Sequence, residues 1–418
     1  MEKWMRNGYC VLFALLPWSF EYSFGSWKMS LPEEPLIAAL GLGLGWIALK
    51  DPKRLGPAIG GSPFLLAGLA WIIWLAVSAS LSSMPVVSWK YWVVEAAHWW
   101  VFAAGFSLFP AFWRQAFSFF SVSMAGLVVY ALVHHSFYHF RADQSLLAPM
   151  PFFPDHTMYG AVVAMVVFQP VRFDKWPGPV FLFLMLTGLF FSFSQGAWLS
   201  VLVAAAAGLA IRFRAQWRIL LPAACALALA GIFFRETICE KTRDFLSRDV
   251  SFRERLNRYA CAFRMARDRP WTGFGPGTYQ FQYLPYQRPD EMTRISMTVP
   301  LAARSPDTYG RGGGAHSEYL QALSEAGWPG LILFVLMGAV VFRTLARNYF
   351  RAKNNDYQLF ILLLMLSLLT FYTHGLLNNI LHDGRVAALV WGMAAAGGRQ
   401  LALPTAYFKF PFSLLPEG

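Results

Sequence analysis

His316 lies where the longest polar segment of the chain returns to apolar sequence. It follows Arg311 and three glycines, and the residues from His316 to Ala326 have helical spacing that Gly327 and Pro329 should end. Histidine is the commonest general base near neutral pH, and the start of a helix offers free N–H groups to an anion. An interfacial helix carrying a hydrogen-bonded histidine fits the same spacing, so the residues alone leave both interpretations open.

The polar segment from residue 235 to residue 315 is rich in arginine. It holds thirteen Arg, one Lys and nine acidic residues. Arginine forks onto phosphate oxygens, whereas lysine acts as a point charge. A helix predicted at 251–267 carries five of these arginines and few acids. The bias favours phosphate recognition over a solvated helix of Glu–Arg pairs.

Apolar runs surround this polar segment on both sides. Of the 418 residues, 56% are hydrophobic and 14% charged, and the mean hydropathy is +0.42. This composition excludes a soluble globular domain and predicts an all-α polytopic membrane protein. About twelve spans are predicted, with approximate cores at 9–26, 35–49, 63–81, 88–109, 116–138, 157–170, 178–194, 196–211, 219–234, 329–344, 357–374 and 385–398.

The spans divide the chain into three parts. Residues 1–234 hold spans one to nine, residues 235–328 form one large loop, and residues 329–418 hold spans ten to twelve. With both termini in the cytoplasm, the cytoplasmic segments carry seventeen basic and five acidic residues, as the positive-inside rule requires. The large loop, Lys90, Arg141 and His316 then share the outer face, where no ATP is available.

No metal or nucleotide motif accompanies these residues. The sequence has no Walker motif, no GxGxxG unit and no metal-ligand spacing, so neither a metal nor a cofactor is expected. Of the four cysteines, Cys239 and Cys261 share the large loop and would pair only if that loop lies outside the cytoplasm. Their pairing stays open.

Three ordered stretches resemble the signature of the O-antigen ligase/polymerase superfamily. They are Arg255-Leu-Asn-Arg-Tyr-Ala, Asp268-Arg-Pro-Trp-Thr-Gly-Phe-Gly-Pro-Gly-Thr-Tyr279 and Ala315-His-Ser-Glu-Tyr-Leu-Gln-Ala-Leu-Ser-Glu-Ala-Gly-Trp-Pro-Gly330. The similarity extends over roughly residues 150 to 345. Gln195 stands where the family often has arginine, and Tyr259 replaces the usual tryptophan. The resemblance implies a GT-C glycosyltransferase fold with about a dozen helices and one large periplasmic helical loop.

The resemblance also implies a reaction in the bacterial inner membrane. The donor would be a glycan on undecaprenyl diphosphate and the acceptor a sugar hydroxyl of lipid A–core, with membrane lipid but no nucleic acid as a further partner. His316 would take the acceptor proton, and no metal would be needed. Positive side chains would stabilise the leaving diphosphate. The candidates are Arg255, Arg141 and Arg311 first, then Arg258, Arg264 and Lys90.

Related and unrelated functions compete with this hypothesis. An O-antigen polymerase would use a second lipid-linked glycan as acceptor, and a protein O-oligosaccharyltransferase would use a Ser or Thr side chain. A member of a different class, an anion transporter, would use the arginines as a substrate funnel. The sequence has no inverted repeat and no paired broken helices of the kind that many transporters contain.

Overall fold

The computed structural model describes residues 2–24, 27–169, 178–212, 250–296 and 313–398. In these ranges the protein is mostly helical. The helices are α1 (Glu2–Leu15), α2 (Glu33–Lys50), α3 (Pro52–Gly60), α4 (Pro63–Ser80), α5 (Pro85–His98), α6 (Gly105–Leu108), α7 (Trp113–Ser136), α8 (His156–Val167), α9 (Gly178–Phe190), α10 (Gln195–Arg212), α11 (Val250–Asp268), α12 (Tyr279–Gln282), α13 (Glu318–Arg351), α14 (Asn355–His374) and α15 (Gly384–Gly398). A π-helical stretch, Trp99–Ala104, joins α5 to α6.

Among the described helices, five are long and apolar enough to cross a membrane: α4, α7, α10, α13 and α14. Two shorter apolar helices, α8 and α9, match further predicted spans. A mostly helical protein with several candidate spans is therefore confirmed, while the number twelve and the side on which the large loop lies stay predictions. The predicted ninth span, Cys239 and Arg311 lie outside the described residues.

The N-terminal region differs from the span predicted at 9–26. Helix α1 ends at Leu15, and a 3-10 turn at Leu16–Trp18 contains Pro17, which has no N–H to continue the helix. The chain then forms an antiparallel hairpin of β1 (Phe20–Phe24) and β2 (Trp27–Leu31), with Phe20 opposite Leu31. Hydrophobic content alone did not distinguish this helix and hairpin from one span.

One large apolar core joins the helices. Helix α4 packs on α13, α10 on α14, and α1 on α7. The ring of Phe13 meets Phe106 and Phe117 edge to face at centroid distances of 5.5 and 5.3 Å. Edge-to-face contacts are a preferred geometry of buried aromatic rings, and close packing of this kind fixes the relative positions of the helices.

The polar segment contributes a second, smaller core. Helix α11 supplies Cys261 and Met265, which pack against Phe274, Tyr279 and Tyr283. The two tyrosine rings are stacked 5.4 Å apart. Helix α11 also packs on α13, so this small core connects the arginine-rich helix to the helix that follows His316.

Candidate functional site

The helical path from Glu318 breaks at Gly327, as the sequence predicts, and a second helical segment follows this kink within α13. Gly327 has a φ of 70° and a ψ of −173°, outside the helical region. The Trp328 N–H donates to the Pro270 carbonyl at 2.8 Å instead of to its own helix. A Cβ on Gly327 would lie 2.2 Å from the Trp271 carbonyl oxygen, so a glycine is required at this close approach.

The carbonyls freed by the kink are bonded by neighbouring segments. The Phe274 N–H donates to Ser324 O at 3.1 Å, and the Gly275 N–H donates to Glu325 O at 2.9 Å. The Trp74 indole of α4 donates to Ala326 O at 2.8 Å. Buried backbone groups need such partners, so the kink joins α4, the 269–279 loop and α13 at one point.

The Glu325 side chain binds backbone N–H groups of the 269–279 loop. Its two carboxylate oxygens accept the N–H groups of Tyr279, at 2.8 Å, and Gly277, at 2.9 Å. The Gln321 side chain donates to the Glu325 carboxylate at 2.6 Å and accepts the Ala315 N–H at 2.7 Å. This series of bonds runs from the loop through α13 to the residue before His316.

We predict that Gly327→Ala destabilises the protein. The φ of 70° alone should lower the free energy of unfolding by about 1–3 kcal/mol. The clash with the Trp271 carbonyl should lower it further. Gly45→Ala is the matched control because no atom lies within 4 Å of the added methyl group. Thermal unfolding in detergent measures both variants. Equal midpoints for the two would contradict the proposed strain at residue 327.

His316 lies two residues before α13 and not at its first turn. Its φ is +53°, in the left-handed region, where a residue with a side chain is uncommon. Its N–H donates to the Asn379 side-chain oxygen at 3.2 Å, and its carbonyl accepts the Tyr259 hydroxyl at 3.2 Å. Strained backbone of this kind persists only where its surroundings hold it, and it clusters at functional sites.

The His316 side chain lines a cavity of about 700 Å³. Ionisable groups from distant parts of the chain line the same cavity, namely Lys90, Glu95, Asp155 and His382. Amide side chains contribute as well: Gln280, Gln321, Asn378 and Asn379. In the described part of the chain, no group of three or more His, Cys, Asp or Glu side chains is arranged to hold a metal ion. The cavity has the size and polarity of a small-molecule site.

Burial, together with the smaller effect of the positive charges of Arg258 and Arg255, lowers the pKa of His316 to about 4. Glu254 and the Asn378 side chain oppose this shift. At neutral pH the imidazole is therefore uncharged and has a nitrogen lone pair for a proton. An uncharged histidine facing a ligand-sized cavity can act as a general base.

Arg255 differs from the other predicted phosphate ligands on α11. Its Nε is buried and has no hydrogen-bond partner among the residues described. It lies close enough to His156, His316 and His374 to interact with each electrostatically. A half-buried guanidinium with an unused donor, beside the cavity histidine, is suited to an anionic ligand.

Arg258 and Arg264 already have partners. Arg258 is 2% exposed, donates to the Glu254 carboxylate at 2.9 Å and covers the Tyr283 ring at 3.9 Å. Arg264 forms an ion pair with Glu291 and donates to the Tyr286 carbonyl at 2.8 Å. In both arginines, part of the hydrogen-bonding capacity of the guanidinium is therefore already used by a carboxylate.

Arg141 and Lys90 occupy different positions. Arg141 is paired with Asp143 at 2.8 Å and its side chain is 67% exposed. Lys90 is exposed on the wall of the cavity that contains His316. Lys90 and His316 therefore line one cavity, and Arg255 lies near His316, although neither Arg255 nor Arg141 is among the lining residues.

Residues 180–335 match a family model. The family is O-antigen ligase. This match confirms the resemblance, and the matched segment includes Arg255, the 269–279 loop and His316. Members of this family are glycosyltransferase-like ligases and polymerases. No curated protein sequence matches the chain. The described residues include five helices long and apolar enough to cross a membrane, so the protein is a membrane protein in which residues 180–335 are similar to the O-antigen ligase family.

Proposed function

We propose that the protein is an O-antigen ligase that moves a glycan from undecaprenyl diphosphate to a sugar hydroxyl of lipid A–core, at the periplasmic face of the bacterial inner membrane. The observation that carries the proposal is the uncharged His316 facing a cavity of about 700 Å³, beside the unused donor of Arg255. Glycosyl transfer from a lipid diphosphate needs this pair of groups, a base and a cation.

The proposed step is a substitution at the anomeric carbon. The acceptor oxygen forms a bond to that carbon, and the bond from the carbon to the diphosphate oxygen breaks, with its electron pair leaving on the diphosphate. His316 takes the hydroxyl proton on a ring nitrogen. Arg255 donates to the leaving diphosphate, where negative charge grows in the transition state. Lys90 adds a second positive charge along the cavity wall.

The remaining arginines have other parts in this proposal. Arg258 stabilises the chain beside His316 through Glu254 and Tyr283, and its charge keeps the imidazole neutral. Arg264 and Arg141 are weaker candidates for the diphosphate, because each is already paired with a carboxylate, Glu291 and Asp143. Arg311 stays a predicted ligand outside the described residues.

The test is transfer by the purified protein, supplied with lipid-linked O-glycan and lipid A–core, in EDTA and without nucleotide. A ladder of glycans on lipid A–core is the expected result. Growth of the glycan on its own carrier would instead make the protein a polymerase. Movement of substrate across a vesicle without release of undecaprenyl diphosphate would make it a transporter.

The pH dependence of transfer tests the environment of His316. Asn378 contacts the imidazole and also donates to His374 at 3.0 Å. Asn378→Asp would place a carboxylate there, favour the imidazolium and so raise the pKa of His316 from about 4. Because the neutral base is needed, activity lost near pH 4 in the natural protein should be lost about one pH unit or more higher in this variant.

Asn354→Asp is the matched control for Asn378→Asp. Asn354 caps α14 by accepting the Tyr357 N–H at 2.9 Å, and aspartate caps a helix equally well. Initial rates between pH 4 and pH 8 on the three proteins give the profiles. If activity falls at the same acidic pH in all three proteins, residue 378 does not influence the pKa of the catalytic base.

A further inference from the structure

Glu95 of α5 is a buried carboxyl that the proposed step does not use. It is 2% exposed, and neither of its carboxyl oxygens has a hydrogen-bond partner in the described part of the chain. Most buried polar atoms in proteins are bonded, so a carboxyl with two unbonded oxygens calls for a physical explanation.

The neighbours of Glu95 make an ionised carboxylate at this position still less favourable. A small cavity of about 30 Å³ lies between Glu95, Glu318 and Glu325, with room for about one water. Glu318 accepts the N–H groups of Ile380, at 2.5 Å, and Leu381, at 2.6 Å. Glu325 likewise accepts two backbone N–H groups, from the 269–279 loop. Two of the three carboxyls are thus compensated by the backbone, and Glu95 is not.

An ionised Glu95 would be a buried charge without a donor, next to two further carboxyls. Burial of an unpaired charge is strongly unfavourable, so these surroundings favour the neutral carboxyl. A neutral carboxyl offers one O–H donor and one free acceptor oxygen. This combination matches a hydroxyl group, which both donates and accepts.

Glu95 also lines the cavity of about 700 Å³ that contains His316. Gln321 lines both cavities, so the carboxyl and an amide adjoin the same space. Metal binding is disfavoured because the described residues include no cluster of three or more ligands. Lys90, on the same wall, disfavours an ammonium group.

We propose that Glu95 is a sugar-binding residue, whose carboxyl hydrogen-bonds a hydroxyl of a glycan held in the His316 cavity. The inference rests on the proposed function and deepens it by naming a residue that recognises a sugar hydroxyl. A sugar hydroxyl is available from the donor glycan or from the acceptor core, and the test below separates the two.

The test compares Glu95→Ala with Glu95→Gln, using lipid-linked O-glycan and lipid A–core as probes. Removal of one hydrogen bond should raise the KM for the sugar that Glu95 contacts by about tenfold. Glu95→Gln should stay within about threefold of the natural protein, because the amide also has a donor and an acceptor. Glu34→Gln, the same exchange at an exposed position of α2, is the control.

The outcomes distinguish this inference from the proposed function. A raised KM for lipid A–core alone assigns Glu95 to the acceptor, and a raised KM for the lipid-linked glycan alone assigns it to the donor. Unchanged KM values in Glu95→Ala, or a Glu95→Gln variant as impaired as Glu95→Ala, would overturn the inference. Absence of transfer by the natural protein would instead overturn the proposed function. Direct binding of both probes, measured by thermophoresis, reports on Glu95 without turnover.

Discussion

Replacing His316 by asparagine should lower the rate of glycan transfer by a factor of about 10²–10⁴, the usual contribution of a general base. Asparagine tolerates the φ of +53° at this position better than most residues, so the backbone should keep its conformation. The variant removes the basic nitrogen and leaves the fold. The initial rate of lipid A–core glycosylation, on protein with an unchanged melting temperature, measures the loss.

A second variant distinguishes lost chemistry from lost shape. His316→Gly also suits a positive φ and leaves space where the imidazole lay. Added imidazole should restore part of the transfer by His316→Gly and none by His316→Asn. Transfer at the natural rate by His316→Asn would remove this residue from the mechanism.

Replacing Arg255 by alanine should lower kcat by about 10²–10³, the range found when one preorganised donor to a developing negative charge is removed. The guanidinium is half-buried, and its Nε has no hydrogen-bond partner among the described residues. Because charge on the diphosphate grows as the glycosidic bond breaks, the effect should fall more on kcat than on the KM of the donor.

Arg255→Lys tests geometry against charge. Lysine keeps the charge but not the planar fork, so it should restore less than about a tenth of the lost rate. Arg253, exposed on the same helix, supplies the control, and Arg253→Ala should transfer normally. Single-turnover rates with labelled lipid-linked glycan provide the measurement. Complete rescue by lysine would show that simple charge suffices at position 255.

Much of the frame of this site could be predicted from the sequence. Arginine spacing predicted the helix at 251–267, and the structure has it at Val250–Asp268. Gly327 and Pro329 predicted the break after the His316 segment, although the helix bends there and continues. These features are local, because backbone conformation at glycine and proline depends mainly on the residue itself.

The partners of charged side chains could not be predicted in the same way. Arg255 and Arg258 are three residues apart with similar sequence surroundings, yet of the two only Arg258 is paired with an acidic residue in the described part of the chain. Glu95, Asp155 and Asn378 meet in one cavity although more than fifty residues separate each from the next. Such meetings depend on long-range packing, which residue types and spacing do not encode. For the same reason, the hairpin of β1 and β2 was not predicted, because the hydrophobic residues of 9–26 suggested a single span.

The contacts made by Glu318 bear on how such a site can diversify. Glu318 binds the backbone amides of Ile380 and Leu381, and its own N–H donates to the Gly375 carbonyl at 2.8 Å. Backbone contacts of this kind are indifferent to the side chains of the segment they hold. Changes to the other side chains of 375–381 should therefore leave this backbone anchor in place, whereas Asn378 and Asn379 are constrained by their contacts with His316.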